Sequence, residues 1–210
     1  MRKDLTSIVL VVDRSGSMIS CRDDAQGGIN TFIEEQKKAV GEAKITLIQF
    51  DDLYEVVHEN LNIQDVPPYV LMPRGMTALL DAVGKAISIT GERLHKLDEK
   101  DRPGCVIVVI VTDGHENASK EFTKSQIKNM IELQQNMYKW QFTFFGADAS
   151  SFDEAKSLGI NLSSIVQYNQ EKIKNIGKVV SLNVSRMRGA SISGQEIKSC
   201  YLEEELDSLA

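Results

Sequence analysis

The sequence predicts an α/β domain: a doubly wound, mostly parallel six-stranded sheet with helices on both faces and one antiparallel edge strand. Three observations carry this. Short apolar runs alternate along the chain with longer segments whose apolar residues recur at helical spacing. The strongest runs are apolar at nearly every position, as strands covered on both faces must be. Each ends in a polar turn containing glycine, and in open parallel sheets the carboxyl ends of strands are where binding sites gather.

Taken in order, residues 8–12 form the first run and residues 45–50 the second, after the polar turn Gly41-Glu42-Ala43-Lys44. Residues 54–59 follow Asp51-Asp52 so closely that they should pair antiparallel, as the edge strand. Residues 106–111, 142–145 and the short 164–167 complete the set. Between them, Ile29, Phe32, Ile33, Gln36 and Val40 predict one helix, and Leu79, Leu80, Val83, Ile87 and Leu94 a second. Ile127, Met130, Ile131 and Leu133 predict a third over 126–138, with 121–125 as its lead-in. Ile173, Ile176, Val179, Val180, Leu182 and Val184 predict a last helix over 171–187. Gly189 is its expected stop, with Arg186 and Arg188 in the final turn. The domain is therefore expected to cover 1–189, and 190–210 to be a tail or a short, weakly packed helix ending in acidic residues. Those acidic residues could reach a binding site on their own domain or on a neighbour's.

Composition narrows the function. The chain has 210 residues, 42% apolar and 26% charged, with a formal net charge of -6. That balance disfavours nucleic acid or an anionic membrane as the main partner, because the average surface would repel either. The three cysteines, Cys21, Cys105 and Cys200, are odd in number and widely spaced. Neither a disulfide framework nor a zinc site is expected, and Cys105 reads as a small buried hydrophobe. With no secretory leader and no apolar stretch of membrane-spanning length, the expected location is cytoplasmic.

The chemistry gathers in three turns. The first strand ends in Asp13-Arg14-Ser15-Gly16-Ser17, where alternating Asp, Ser and Ser can aim three oxygens at one point while Gly16 lets the backbone bend. Thr77, in Gly75-Met76-Thr77-Ala78, adds a hydroxyl at the start of the second helix. Asp113-Gly114 adds a second carboxylate at the end of the strand over 106–111. Oxygen-only donors suit a hard cation, and a small octahedral set suits Mg²⁺, with Mn²⁺ or Ca²⁺ as alternates.

Asp13-x-Ser15-x-Ser17, the later Thr77 and the strand-ending Asp113-Gly114 resemble the metal-ion-dependent adhesion site of von Willebrand factor type A domains, in the family's order and over nearly the whole domain. The absence of a leader points to the intracellular bacterial or phage-like kind. The resemblance implies that Ser15 and Ser17 bind the metal directly. Thr77 would bind directly or through water, and Asp13 and Asp113 through waters or outer hydrogen bonds. Such a set leaves the ion electron-poor, so that it seeks an Asp or Glu carboxylate from a partner protein. The implied function is metal-dependent protein interaction, without catalysis.

Other readings stay open beside this one. Asp13, Ser15 and Ser17 also suit a plain polar turn, and Thr77 suits a helix N-cap. His115 and Glu116 raise the alternative of a metal-assisted hydrolase or phosphatase on the same scaffold, although no nucleophile-elbow string is present. Asn117 and Asp148 are candidates for the site rim, and Arg74 for steering an acidic partner. Asp51-Asp52 read as a turn, His58 and His95 as surface residues, and Trp140 as packing at a strand entrance.

Overall fold

The structure is a computed structural model. It describes all residues except 114, 147–148, 168–172 and 208–210, and only the backbone of 149–151, 167, 173–176 and 206–207. Six strands form one sheet in the order β3-β2-β1-β4-β5-β6. These are β1 (Arg2–Asp13), β2 (Glu42–Phe50), β3 (Tyr54–Asn62), β4 (Pro103–Thr112), β5 (Gln141–Gly146) and β6 (Ile165–Gln167). All neighbours are parallel except β2 and β3, the antiparallel edge pair expected from the short Asp51-Asp52 turn.

The position of β1 explains its composition. Ile8, Leu10 and Val12 enter one core cluster, with Ile29, Phe32 and Ile33 of α1 (Arg22–Lys38) and Val180, Val184 and Met187 of α5 (Ile173–Ser193). Val9 and Val11 point the other way, toward Leu79, Val83 and Ile87 of α2 (Leu79–His95) and Ile127 and Ile131 of α3 (Lys124–Met137). Over residues 8–12, with a core on each face, the strand has no position for a polar residue. From β1 the chain builds outward to one side through β2 and to the other through β4. The carboxyl ends of β1 and β4 therefore flank the switch point of the sheet. Among the described residues, no helix is long and apolar enough to cross a membrane.

Several elements depart from expectation. The first helix ends at Lys38, which leaves Val40 outside it and exposed. Leu133 and Leu182 lie on the solvent side of their helices. The short α4 (Ala149–Ser157) was not foreseen, because it buries Ala155 without presenting a long apolar stripe. The stop expected at Gly189 is displaced: α5 continues to Ser193, and Gly194, at φ +70°, takes the left-handed conformation beyond the helix end.

Arg188 shows why the helix runs on. Its side chain is 1% exposed and crosses to α1, where Nη1 donates to the Gln36 carbonyl at 2.8 Å and to Gln36 Oε1 at 2.9 Å. Nη2 donates to the Gly41 carbonyl at 2.9 Å. The guanidinium thus satisfies carbonyls at the carboxyl end of α1, where a cation also meets the negative end of the helix dipole. Its charge serves a neighbouring helix end and not its own. Gly28 and Gly177 allow this closeness, since a Cβ on Gly177 would stand 2.1 Å from the Gly28 carbonyl oxygen.

The chain beyond Gly194 is docked on the domain. The Ser199 amide donates to Gln141 Oε1 at 2.9 Å, Ser164 Oγ donates to the Ser199 carbonyl at 2.5 Å, and the Tyr201 amide donates to the Ser163 carbonyl at 2.9 Å. Glu205, on the short α6 (Glu203–Asp207), pairs with Arg186. These anchors lie along the β5–β6 edge of the sheet, from Gln141, level with Ile8 of β1, to Phe145, level with Val12, against which the Tyr201 ring packs edge-on. Glu205, one of the acidic residues expected to be free to reach a binding site, is held by Arg186 instead.

Replacing Arg188 with Met keeps an apolar stem but leaves buried carbonyls without donors. Arg188→Met should lower the unfolding free energy by about 3 kcal/mol. Urea titration reads this directly, and an unchanged midpoint would show the guanidinium to be idle.

Candidate metal centre

The end of β1 places a carboxylate where it has almost no access to water. Asp13 is 0% exposed. Its Oδ1 accepts the Ser15 amide at 2.6 Å and its Oδ2 accepts Thr112 Oγ1, from the end of β4, at 2.5 Å. Burial pushes the Asp13 carboxyl up to about 6. The Thr112 and Ser15 hydrogen bonds pull against that rise, and the negative charge of Asp113 adds to it. The Ser15 and Ser17 hydroxyls lie 3.0 Å apart, and Ser17 Oγ donates to Asp113 Oδ1 at 2.7 Å. Asp13, Ser15, Ser17 and Asp113 are therefore linked in one chain of polar contacts running from the buried strand end to the surface.

Thr77 is buried beside this chain on the loop leading into α2. Its amide donates to Asn117 Oδ1 at 2.9 Å, and its carbonyl accepts the Asn117 amide at 3.0 Å. Two residues earlier, the Gly75 carbonyl accepts the Gly16 amide at 3.1 Å. Gly75 has φ +69°, and a Cβ there would meet Asp52 Oδ1 at 2.1 Å, so both conformation and space require glycine. The N-cap role open to Thr77 is not taken: Ala78 holds that position, without a side-chain cap. Instead Glu116 Oε2 accepts the Leu80 amide at 2.9 Å, and Ser119 Oγ accepts the Asp81 amide at 3.1 Å.

The same contacts settle the place of Glu116. Its other oxygen accepts the Ala118 and Ser119 amides at 3.0 and 2.7 Å, and Oε2 also accepts Ser119 Oγ at 2.7 Å. It orders the loop after β4 against α2 and is not poised toward a substrate. His115 is exposed. Of the other candidates, Asn117 is at the site as a clamp on Thr77, while Gly114 and Asp148 lie outside the described residues.

A second knot holds the site loops together. Asp51, 2% exposed, accepts Arg14 Nε at 3.0 Å and Arg74 Nε at 2.8 Å on Oδ2, and the Leu53 amide at 2.8 Å on Oδ1. Arg14 Nη1 continues to Glu55 at 2.8 Å. Backbone bonds lace the same segments: the Arg74 amide to the Arg14 carbonyl at 2.7 Å, and the Ala78 amide to the Asp51 carbonyl at 2.8 Å. What reads in the sequence as a simple turn at Asp51 is a buried cross-link among three loops. Sequence reasoning missed Arg14 and Thr112 as well; both owe their roles to partners far away in the chain.

The oxygen spacings among Ser15, Ser17 and Asp113 match those around a hard divalent cation. Two ligands at right angles, each ~2.1 Å from an Mg²⁺ ion, stand ~3 Å apart. The Ser15–Ser17 and Ser17–Asp113 oxygen separations of 3.0 and 2.7 Å match that spacing. Among the described residues, no group of three or more His, Cys, Asp or Glu is gathered to hold a metal. The linked set at the β1–β4 switch point differs in kind, with the carboxylates of Asp13 and Asp113 and the hydroxyls of Ser15 and Ser17, while Thr77 is held by Asn117 on the adjoining loop. Its all-oxygen, weakly charged chemistry fits Mg²⁺ or Mn²⁺.

Asp51 generates a pH prediction. Burial is the largest influence on its carboxyl and acts upward, but the Arg74 and Leu53 hydrogen bonds and the charges of Arg14 and Arg74 together outweigh it and hold the group below its ordinary value. A depressed carboxylate contributes stability that is complete above its unfolded value, near pH ~4, and is lost as pH falls through the lower folded value. Asp51→Asn should cost about 3 kcal/mol at neutral pH, by taking the buried carboxylate from Arg14, which keeps only the exposed Glu55. It should also flatten the acid limb of stability against pH, as read by denaturant titration at several pH values.

No family model matches the sequence, and no curated protein matches it. Solved structures do. The von Willebrand factor domain of the type V pili tip protein Mfa5 from Porphyromonas gingivalis aligns over 92% of this chain and 98% of its own, with a TM-score of 0.62 and 10% identity. Proximal thread matrix protein 1 from the mussel byssus aligns over 86% of this chain and 46% of its own, with a TM-score of 0.59 and 15% identity. Manganese-loaded TRAP protein of Plasmodium vivax aligns over 84% and 73%, with a TM-score of 0.55 and 12% identity. A von Willebrand factor type A protein from Catenulispora acidiphila is covered over only 42% of its length, so this chain spans less than half of some proteins it matches. At such identities the likeness is one of architecture: the chain has the α/β fold of von Willebrand factor type A domains.

Proposed function

We propose that this domain is a metal-dependent protein-interaction module. It holds Mg²⁺, or Mn²⁺ or Ca²⁺ in its place, with Ser15, Ser17 and Thr77 as direct ligands and Asp13 and Asp113 as outer supports. Through the ion it grips an Asp or Glu side chain of a partner. The observation that carries this reading is the linked run Asp13–Ser15–Ser17–Asp113, with oxygens at ligand spacing, at the switch point of the sheet. The metal would supply a positive, incompletely neutralised centre for a carboxylate. The chain's own part is to hold oxygens in place: Asp13 fixes the Ser15 amide, Thr112 fixes Asp13, and Asn117 fixes Thr77. The fold shared with manganese-loaded TRAP supports the same choice of ion.

The hydrolase alternative lacks a comparable support. Glu116, the carboxylate beside His115, is engaged in loop and helix capping, and a general base must be within reach of the proton it removes. The proposed role is binding without turnover.

A ligand that binds only the folded state raises stability by mass action, ~2.7 kcal/mol at one hundred times its dissociation constant. Saturating Mg²⁺ or Mn²⁺ should therefore raise the thermal midpoint by several degrees. Asp113→Ala and Asp13→Asn should each remove most of that rise while keeping the far-UV circular dichroism of the wild type. A metal response of full size in both variants would sink the assignment.

A further inference from the structure

The loops that build the proposed metal site carry large apolar side chains in water. Ile19, just past Ser17, is 67% exposed; Leu53, in the β2–β3 turn, 66%; Met72 and Met76, on the loop before α2, 70% and 54%. Their placement is not loose. Tyr69 and Leu71 are buried and anchored to α1, the Tyr69 amide on Asn30 Oδ1 at 2.7 Å and the Leu71 amide on Gln26 Oε1 at 2.9 Å. The alternation of an extended segment then turns Val70 and Met72 outward. Gly16 N to Gly75 O at 3.1 Å sets the Ile19 turn beside Met76, and Met76 N to Asp52 Oδ1 at 3.4 Å sets Met76 beside the Leu53 turn. The laced loops that carry or adjoin Ser15, Ser17 and Thr77 thus bear four exposed apolar side chains, with exposed Arg74 between Met72 and Met76 in the chain. Scattered apolar residues on a surface are ordinary, but a group of them rimming a polar site marks an interaction surface. Two of the four are methionines, which repack readily against differing partners.

We propose that Ile19, Leu53, Met72 and Met76 form an apolar docking collar, and that the partner is a peptide segment presenting its Asp or Glu between large apolar side chains. This rests on the carboxylate-gripping reading above. The occupant follows from complementarity: the proposed ion calls for an anion, and the collar calls for apolar neighbours on either side of it. A bare acidic surface would leave the collar in water, and a purely apolar segment would offer the proposed ion no carboxylate.

Three fluorescein-labelled octapeptides test the idea, measured by fluorescence polarisation with the full chain in Mg²⁺ and in EDTA. One carries Glu between Leu and Phe, one Glu between Ser and Gly, and one Gln between Leu and Phe. The first should bind at least about tenfold more tightly than the second, given what one apolar contact contributes to discrimination. The Gln peptide, and EDTA, should abolish binding. The triple variant Ile19→Ser, Met72→Ser, Met76→Ser should keep the wild-type thermal response to Mg²⁺ yet bind the first two peptides equally. Equal affinity of the two Glu peptides for the wild type, or an apolar preference untouched in the triple variant, overturns the collar and leaves the carboxylate reading standing. Undiminished binding of the Gln peptide, or binding indifferent to EDTA, overturns the carboxylate reading and this proposal with it. Failure of all three peptides to bind overturns both.

Discussion

The structure depends on one constraint: the central strand is dry on both faces and must nevertheless end in a carboxylate. Asp13 reaches the carboxyl end of β1 with no exposure. A buried carboxylate is tolerated only where donors surround it. The donors come from the next turn of its own loop and from the end of β4, through the Ser15 amide and the Thr112 hydroxyl. Satisfying Asp13 therefore bends the Asp13–Ser17 loop back over the sheet and ties it to β4. The same two contacts that offset part of the burial cost bring Ser15, Ser17 and Asp113 into line.

Around that centre, charge is used for geometry more than for net attraction. Asp51 collects Arg14 and Arg74 from two other loops, and Glu116 collects amides from α2 and from the loop after β4. Each carboxylate replaces hydrogen bonds that irregular backbone cannot make with itself. The site loops can therefore be long and irregular without being unsupported.

How much of this was legible in the sequence follows from how local each cause is. Residues 8–12 and 106–111 announce buried strands because burial on two faces demands apolar side chains at successive positions. The strands extend beyond those runs, to Arg2 and Pro103, because pairing continues where burial is no longer complete. Asp13, Ser15, Ser17 and Asp113 were legible because their spacing and their place at strand ends are local facts, and the structure links all four. Thr77 stood out in the sequence as a hydroxyl at the start of the second helix; its exclusion from helix capping was not legible, since the cap comes from Glu116, thirty-six residues away from Leu80. Arg188 was misread for the same reason. A basic residue near a helix end suits its own terminus, and only the packing of α5 on α1 shows that it serves the other helix.

The course of β1 has a consequence for presentation. It runs from Arg2 to Asp13, so the start of the strand and the Asp13–Asp113 turns lie at opposite ends of the sheet. A tether, a resin or a carrier attached ahead of Arg2 would hold the molecule by its base, with the oxygen-lined apex facing outward. Tension pulled between that anchor and a ligand at the apex would run along the strand. It would load the parallel ladders of β1 with β2 and β4 in shear, across many hydrogen bonds at once, instead of peeling them open one by one.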